Sequence, residues 1–288
     1  MRLVVYDDWR VGVLEPDGIH EVDSLIPGPW RRTPRAMNWL VEHFDGTRGR
    51  IERRAREVAP IGPDGVRLRA PVPVPMHLLA APSNNARHID EMRSGAGETG
   101  PPETPRELGF FLEAPGSICG AGDAIELPAL PGRRFDHECE LALVVGREAR
   151  AVRAARALDH VFGYTCLLDI TMRRSADRNE ERSMRKSFAT FTPVGPVLVT
   201  ADEIPDPGQV GLRLWVDGEL RQDASTRDLL VGVPELIEIA SHVLPLQPGD
   251  LYTTGSPSGV GPIVPGNTVE AEMDHVGRMR LPVRARPW

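Results

Sequence analysis

Glycine and proline punctuate this sequence so often that no regular element can run far: there are 28 of each among 288 residues, scattered without a period. Their sum stands well above the ~12% of an average globular chain. Turn-formers at that density argue for many short strands and loops instead of a helical bundle. The length allows a sizeable core and one large domain, or a large one with a small appendage. A net charge of −7 repels a phosphate backbone, so no nucleic-acid partner is expected. No apolar run approaches the ~20 residues of a membrane span, so no membrane partner is expected either. Arg2, Asp7 and Asp8 speak against a signal peptide, and three widely spaced cysteines (Cys119, Cys139, Cys166) without a CxxC pair suit a reducing compartment. The expected location is cytoplasmic.

Residues 1–70 read as a small N-terminal unit. Short strands are expected at 1–6, 12–14 and 19–22, followed by one helical stretch over 34–58 with Met37, Leu40, Val41 and Phe44 on one face. Ala70-Pro-Val-Pro-Val-Pro75 then reads as a stiff extended linker and a domain boundary, leaving 71–288 as the larger domain. Beyond it the pattern is strand-dominated: 77–81, 135–145, 162–170, 251–254, 268–273 and 278–283. Helices are expected at 85–93, 151–160 and 234–244. Asp217-Gly218 between 212–216 and 219–221 signals a hairpin. Residues 94–105, rich in Gly and Pro, are the expected mobile loop.

Several catalytic signatures are missing. Gly255-Ser-Pro-Ser-Gly259 carries Pro257 where a nucleophile elbow needs serine, and there is no P-loop and no HExxH. What stands out is Asp136-His137-Glu138-Cys139-Glu140 running into Leu-Ala-Leu-Val-Val. On a strand, Asp136, Glu138 and Glu140 share one face, and adjacent carboxylates leading into a buried run repel unless a cation lies between them. A hard ion with oxygen ligands, Mg2+ or Mn2+, suits such a set, with Ca2+ admissible; a solvated edge strand is the other reading. Asp169 closes the apolar run 163–169, where it reads equally as a functional carboxylate or a helix N-cap. Lys186 is the one lysine beside 33 arginines. In so Arg-biased a chain it marks a place for a compact ammonium, or chance. His88 and Glu91, three apart, share a helical face, so the carboxylate can orient the imidazole as a general base.

Six ordered blocks together resemble the fumarylacetoacetate hydrolase family, in its short acylpyruvase-like branch. They are Ser83-Asn-Asn-Ala-Arg-His-Ile-Asp-Glu-Met92, Phe135-Asp-His-Glu-Cys-Glu-Leu-Ala-Leu-Val-Val-Gly146, Gly163-Tyr-Thr-Cys-Leu-Leu-Asp-Ile-Thr-Met-Arg173, Arg185-Lys-Ser-Phe188, Pro248-Gly-Asp250 and Thr254-Gly-Ser-Pro-Ser-Gly-Val-Gly261. The resemblance covers about residues 68–288. It implies an α+β, strand-dominated fold: a rolled mixed β-sandwich core with a small N-terminal α+β domain, usually assembled as a homodimer. It implies Glu138, Glu140 and Asp169 as metal ligands, and Arg173 and Lys186 as holders of the substrate's oxygens. Gly255 and Ser256 would lie in a loop closing on the substrate, and His88 and Glu91 would be the dyad of the active-site lid.

The activity so implied is metal-dependent hydrolysis of a carbon–carbon bond in a β-dicarbonyl acid such as an acylpyruvate or fumarylpyruvate, giving pyruvate and a carboxylic acid. Aromatic-compound catabolism is the implied setting. The alternatives are decarboxylation or keto–enol tautomerisation of a 2-oxo diacid such as oxaloacetate, and a non-catalytic metal-binding member. The chain departs from the family pattern at Asn85, Ala176, Arg185 and Glu113. The last reverses a lysine's charge near the lid, which leads us to expect a preference for substrates with a neutral distal acyl group.

Overall fold

The computed structural model describes residues 1–62, 65–96, 103–175 and 178–286. Its spine is the strand Cys139–Val145, buried along its whole length as a run of that composition requires. Antiparallel neighbours flank it: Val161–Leu168 on one side and Leu251–Thr253 on the other. From there the main sheet continues outward through Thr192–Thr200, Arg2–Tyr6, Arg10–Glu15 and Gly18–Glu21 on one flank. On the other it continues through Leu78–Ala80 and Phe111–Glu113. Most pairings are antiparallel, whereas Leu251–Thr253 with Leu78–Ala80 and Thr192–Thr200 with Ile118–Gly120 run parallel.

A second sheet orders Glu219–Ser225, Gly211–Val216, Thr268–Met273, Gly277–Ala285 and Ile125–Leu127. Gly211–Val216 and Thr268–Met273 alternate buried and half-buried residues, the signature of a sheet packed on one face. Leu214, Ala271 and Leu281 from this sheet share one apolar core with Cys139, Leu141 and Leu143 from the spine. Ala142 and Val144, on the spine's other face, pack with Met37, Leu40, Val41 and Phe44 of the N-terminal helices. The fold is the strand-rich α+β sandwich expected, with mixed sheets.

The expected strands and helices recur with shifted ends, the helix at 151–160 as Ala154–Ala157 with a 3-10 turn over Leu158–His160, and short strands that were not anticipated join them at Phe111–Glu113, Ile118–Gly120 and Ile125–Leu127. The helical stretch 34–58 is two helices, Ala36–Glu42 and Phe44–Glu57, parted at His43, whose ring stacks on Trp39 and bonds its carbonyl at 2.9 Å. The strand 135–145 is two strands, Phe135–His137 and Cys139–Val145, in different sheets and parted at Glu138. The long strand Thr192–Thr200 was not anticipated. Arg2–Tyr6 pairs directly with it, so the main sheet runs unbroken across residue 70. The expected helix at 85–93 spans Ala86–Ala96, and of the expected mobile loop, residues 97–102 lie outside the described residues. Asp217 and Gly218 make the two-residue hairpin turn, both with positive φ.

Candidate active site and metal centre

The break at Glu138 builds the site. The Glu138 carbonyl accepts the Asp169 amide at 2.8 Å, so two acidic residues face each other where two neighbouring strands end. Glu140, two residues further along, sits opposite Leu167. One carboxylate oxygen from each of Glu138, Glu140 and Asp169 lies within 4.8 Å of the others, and all three residues are buried. Asp169 leads into the two-residue strand Thr171–Met172 and no helix, which removes the N-cap reading. Asp136 lines the same cavity as these three but stands outside their group, accepting from Arg134 Nε at 2.7 Å and from Arg173 Nε at 2.6 Å.

Two cations reach into this cluster. Lys186 ends the helix Arg182–Lys186, and its ammonium, 6% exposed, donates to Asp169, to Glu138 at 3.0 Å and to Thr171 at 2.7 Å. Arg173 bridges Asp136 and Glu138, donating to the latter at 2.5 Å. Burial would raise the Glu138 carboxyl, but Lys186, Arg173 and His88 outweigh it and hold the group below its ordinary range. Glu140 is displaced upward, first by burial and then by the charge of Asp169. Burial lowers the Lys186 ammonium's affinity for its proton, while Asp169 and Glu138 raise it further, so Lys186 is firmly charged.

The 253–255 loop fixes Glu140, which accepts the Gly255 amide at 2.8 Å and the Thr253 hydroxyl. Gly255 has φ +89°, and an added Cβ would come within 2.9 Å of Asn84 Cβ, so the loop's path depends on glycine there. Ser256 lines the same cavity and accepts from Gln222 Nε2 at 3.1 Å. The helix Ala86–Ala96 sits across from this loop. Asn85 Oδ1 accepts the His88 amide at 3.2 Å, an N-cap that accounts for asparagine at this departure. His88 Nδ1 stands 3.5 Å from Glu91 Oε2, and Glu91 also accepts the Gly259 amide at 3.1 Å, tying helix to loop.

These residues face one cavity of about 1370 Å3, lined among others by His88, Glu91, Glu138, Glu140, Asp169 and Lys186. The donor set suits a hard divalent cation. Five buried carboxyls (Glu113, Asp136, Glu138, Glu140, Asp169) crowd around Arg173 and Lys186, with Arg134 at the edge, so negative charge exceeds positive in a dry place. Burial and mutual repulsion push Glu113, Glu140 and Asp169 all upward, and at Asp169 they outweigh even its ion pair with Lys186.

Glu113 is not on the lid. It is 3% exposed at the end of Phe111–Glu113, accepts from Thr192 at 3.3 Å and lies against Asp169, behind the carboxylate cluster. The charge reversal therefore acts beneath the site, and the expected preference for a neutral acyl group loses its basis. Ala176 lies outside the described residues. Two buried amides escaped the sequence reading. Gln222 accepts the Cys139 amide and donates to Ser256 and Pro257, while Asn84 bonds Thr254 and both backbone groups of Val231. Gln222 sits in a strand otherwise largely exposed, so nothing in its neighbours marks it. Asn84 lies within a family block, which is the signal that could have found it.

Residues 78–284 match the family described as fumarylacetoacetate (FAA) hydrolase C-terminal. Maleylpyruvate hydrolase of Aquipseudomonas alcaligenes is 38% identical over 292 residues, covering 99% of this chain and all of that protein. The crystal structure of maleylpyruvate hydrolase from Sphingobium sp. SYK-6 in complex with manganese(II) ion and pyruvate superposes with a TM-score of 0.85 at 38% identity, over 99% of both chains. Oxaloacetate tautomerase YisK of Bacillus subtilis is 36% identical over 222 residues, 74% of this chain and 72% of that one. On the matched profile, the full-length relative and the shared fold alike, this chain belongs to the fumarylacetoacetate hydrolase family.

Proposed function

We propose that the protein is a divalent-metal-dependent hydrolase that cleaves a carbon–carbon bond in a β-dicarbonyl acid of the acylpyruvate type, releasing pyruvate and a carboxylic acid. The observation that carries this reading is the convergence of Glu138, Glu140 and Asp169 with Lys186, Arg173 and the His88–Glu91 pair on one cavity. Full-length relatives that are maleylpyruvate hydrolases, one with manganese and pyruvate bound, support it. Glu138, Glu140 and Asp169 are the proposed ligands of a Mg2+ or Mn2+ ion. Such an ion supplies electrostatic stabilisation for negative charge developing on the substrate's oxygens.

The remaining steps belong to the chain's own groups. Lys186 and Arg173 hold the 1-carboxylate and 2-oxo end, where their positive charges favour an enolate over the neutral ketone. His88, oriented by Glu91, takes a proton from water as the water oxygen adds to the distal carbonyl carbon. When the bond between that carbon and C3 breaks, its electron pair passes to the pyruvate fragment, and reprotonation at C3 yields pyruvate. Gly255 and Ser256 close the loop side of the cavity against the substrate. A homodimer acting in the cytoplasm, in the breakdown of aromatic compounds, belongs to the same proposal. The division at residue 70 is proposed as one of roles, since the N-terminal strands extend the sheet while the site residues all come from beyond it.

The relative that is an oxaloacetate tautomerase favours a second reading, tautomerisation at the same enolate-stabilising site, which needs no attacking water. The test is a panel of acylpyruvates and oxaloacetate assayed with Mg2+, Mn2+ and EDTA. Metal-dependent release of pyruvate from an acylpyruvate, abolished by EDTA, is the expected result. Enol–keto conversion of oxaloacetate with every acylpyruvate left intact would replace the hydrolase reading by the tautomerase one.

A further inference from the structure

The strand Glu219–Ser225 is exposed or half-buried along its length except at Gln222, which is 0% exposed. A bulge explains the reversal. Leu214 lies opposite Gln222 and Trp215 opposite Leu220, so Arg221 has no partner in that ladder and the strand's alternation slips by one residue. Without the extra residue, Gln222 would share the outer face of Leu220, which is 48% exposed. With it, the amide turns inward beneath the 253–259 loop. The loop in turn rests on the bulge: Gly259, at φ +88°, lies so close that an added Cβ would fall 2.0 Å from the Arg221 carbonyl oxygen.

The orientation of the amide follows from its neighbours. Oε1 meets the Cys139 N–H at 2.9 Å, whereas Nε2 meets the carbonyls of Pro257 at 3.1 Å and Ser258 at 3.4 Å, and a carbonyl accepts only from a donor. Nε2 therefore also donates to Ser256 Oγ, 3.1 Å away, and occupies a lone pair of that hydroxyl. What the hydroxyl can offer a ligand is its proton, which rests on the Pro257 carbonyl at 3.1 Å. That carbonyl keeps the Gln222 donor when the proton turns away, so the turn strands no buried group. Ser256 lines the cavity, and its neighbour Gly255 bonds Glu140, which puts the hydroxyl beside the carboxylate cluster.

We propose that Gln222 is a positioning residue for the reaction: it fixes the polarity of the Ser256 hydroxyl, so that Ser256 meets a ligand as a donor and stabilises an anionic oxygen of a 2-oxo acid. The proposal rests on the cavity being the substrate site, as argued above. Gln222 does not line the cavity and works through Ser256. The same amide holds Cys139, between Glu138 and Glu140, so one side chain sets the loop's donor in register with the strand that carries two of the three carboxylates.

The test is a double-mutant cycle read by isothermal titration of pyruvate into manganese-loaded protein. Gln222→Met keeps the length of the side chain without its hydrogen bonds, and Ser256→Ala removes the hydroxyl. Each alone should weaken pyruvate ~10-fold, the scale of one hydrogen bond to an ionised oxygen. Together they should bind it no more weakly than Ser256→Ala alone. In a Ser256→Thr background, where the hydroxyl is kept, Gln222→Met should again cost ~10-fold. Gln222→Asn, which stays polar but falls one methylene short of Ser256, supplies the same comparison if Gln222→Met does not fold. Equal weakening by the Gln222 substitution in the wild-type and Ser256→Ala backgrounds overturns the proposal, because the amide would then serve the strand or the loop as a whole. So does unchanged affinity in either single variant, or no pyruvate binding by wild type. Acylpyruvate turnover by wild type is followed in parallel. The expected cycle without carbon–carbon cleavage overturns the hydrolase reading and leaves Gln222 in its role.

Discussion

Glu140 receives two hydrogen bonds from the 253–255 loop, so its orientation is set before any cation arrives. Glu140→Gln keeps its size but removes a charge from the ligand set, and it should abolish Mn2+ binding by calorimetry. It should also abolish the thermal shift that Mn2+ gives wild type, which corresponds to ~2.7 kcal/mol at one hundred times Kd. His88→Ala should lose ~10²–10⁴-fold in acylpyruvate hydrolysis, the scale of a general base, while Mn2+ affinity holds; an unchanged rate would leave the imidazole without its role. A third residue tests stability away from the site. His20 Nε2 lies 2.9 Å from Asp17, a bond that raises the imidazole's affinity for its proton above the unfolded value of about 6.5. The native state then binds that proton more tightly than the unfolded chain does. The contribution is full below about pH 6.5 and is lost as pH rises through the higher folded value. Urea denaturation of wild type and His20→Asn should therefore show a gap at pH 6 that narrows at pH 9.

At the scale of elements, Asn84 joins three segments: the approach to the Ala86–Ala96 helix, the loop at Thr254 and the backbone at Val231. Asn84→Ala strands two carbonyls and an amide in a dry place, so it should cost about 2–4 kcal/mol and lower the midpoint of chemical unfolding. Hydrogen exchange should quicken at the Val231 amide, whose acceptor is gone, and along the 254–259 loop. Such cross-links were hard to read from sequence because an amide's partners lie far along the chain. The carboxylate cluster was legible because its acids stand in or at the end of buried apolar runs, where an ionised group has no reason to be unless something meets it. Thr192–Thr200 escaped because Pro193 and Pro196 lack the N–H of a ladder and read as breakers. The structure accommodates Pro196 where the pairing with Val161–Leu168 shifts register between Tyr164 and Cys166, while Pro193 lies opposite Cys119 of the parallel neighbour Ile118–Gly120. The break at Glu138 escaped for the opposite reason: alternation continues through it, and the bonds made there, the Asp169 amide to the Glu138 carbonyl and the Cys139 amide to Gln222, come from partners far along the chain.

Across the whole molecule, the N-terminal strands are a flank of the main sheet. Leu3 and Val5 pack with Leu198, Val194 and Ala142 in one core, and Arg2 and Leu3 lie opposite Val199 and Leu198 in register. A chain reduced to residues 71–288 would expose that apolar face and leave Thr192–Thr200 with an open edge. We expect it to bind hydrophobic dyes, associate on gel filtration and lose most of its cooperative unfolding. If it instead folds as a monodisperse species with wild-type Mn2+ affinity, the boundary near residue 70 separates independent domains. The pairing of Arg2–Tyr6 with Thr192–Thr200 also places a demand on synthesis. At ~5–20 residues per second, the first strand leaves the ribosome on the order of 10–40 s before its partner exists. Throughout that wait a short, apolar, pairing-competent segment travels with the nascent chain, sheltered first by Arg10–Glu15 and Gly18–Glu21, which follow at once and fold back on it as a meander, and then by Leu68–Arg69 and the helices that carry Met37, Leu40 and Ile51. The early hairpins thus act as a chaperone in cis, holding the sheet's outer strands in order until the body of the molecule arrives to receive them.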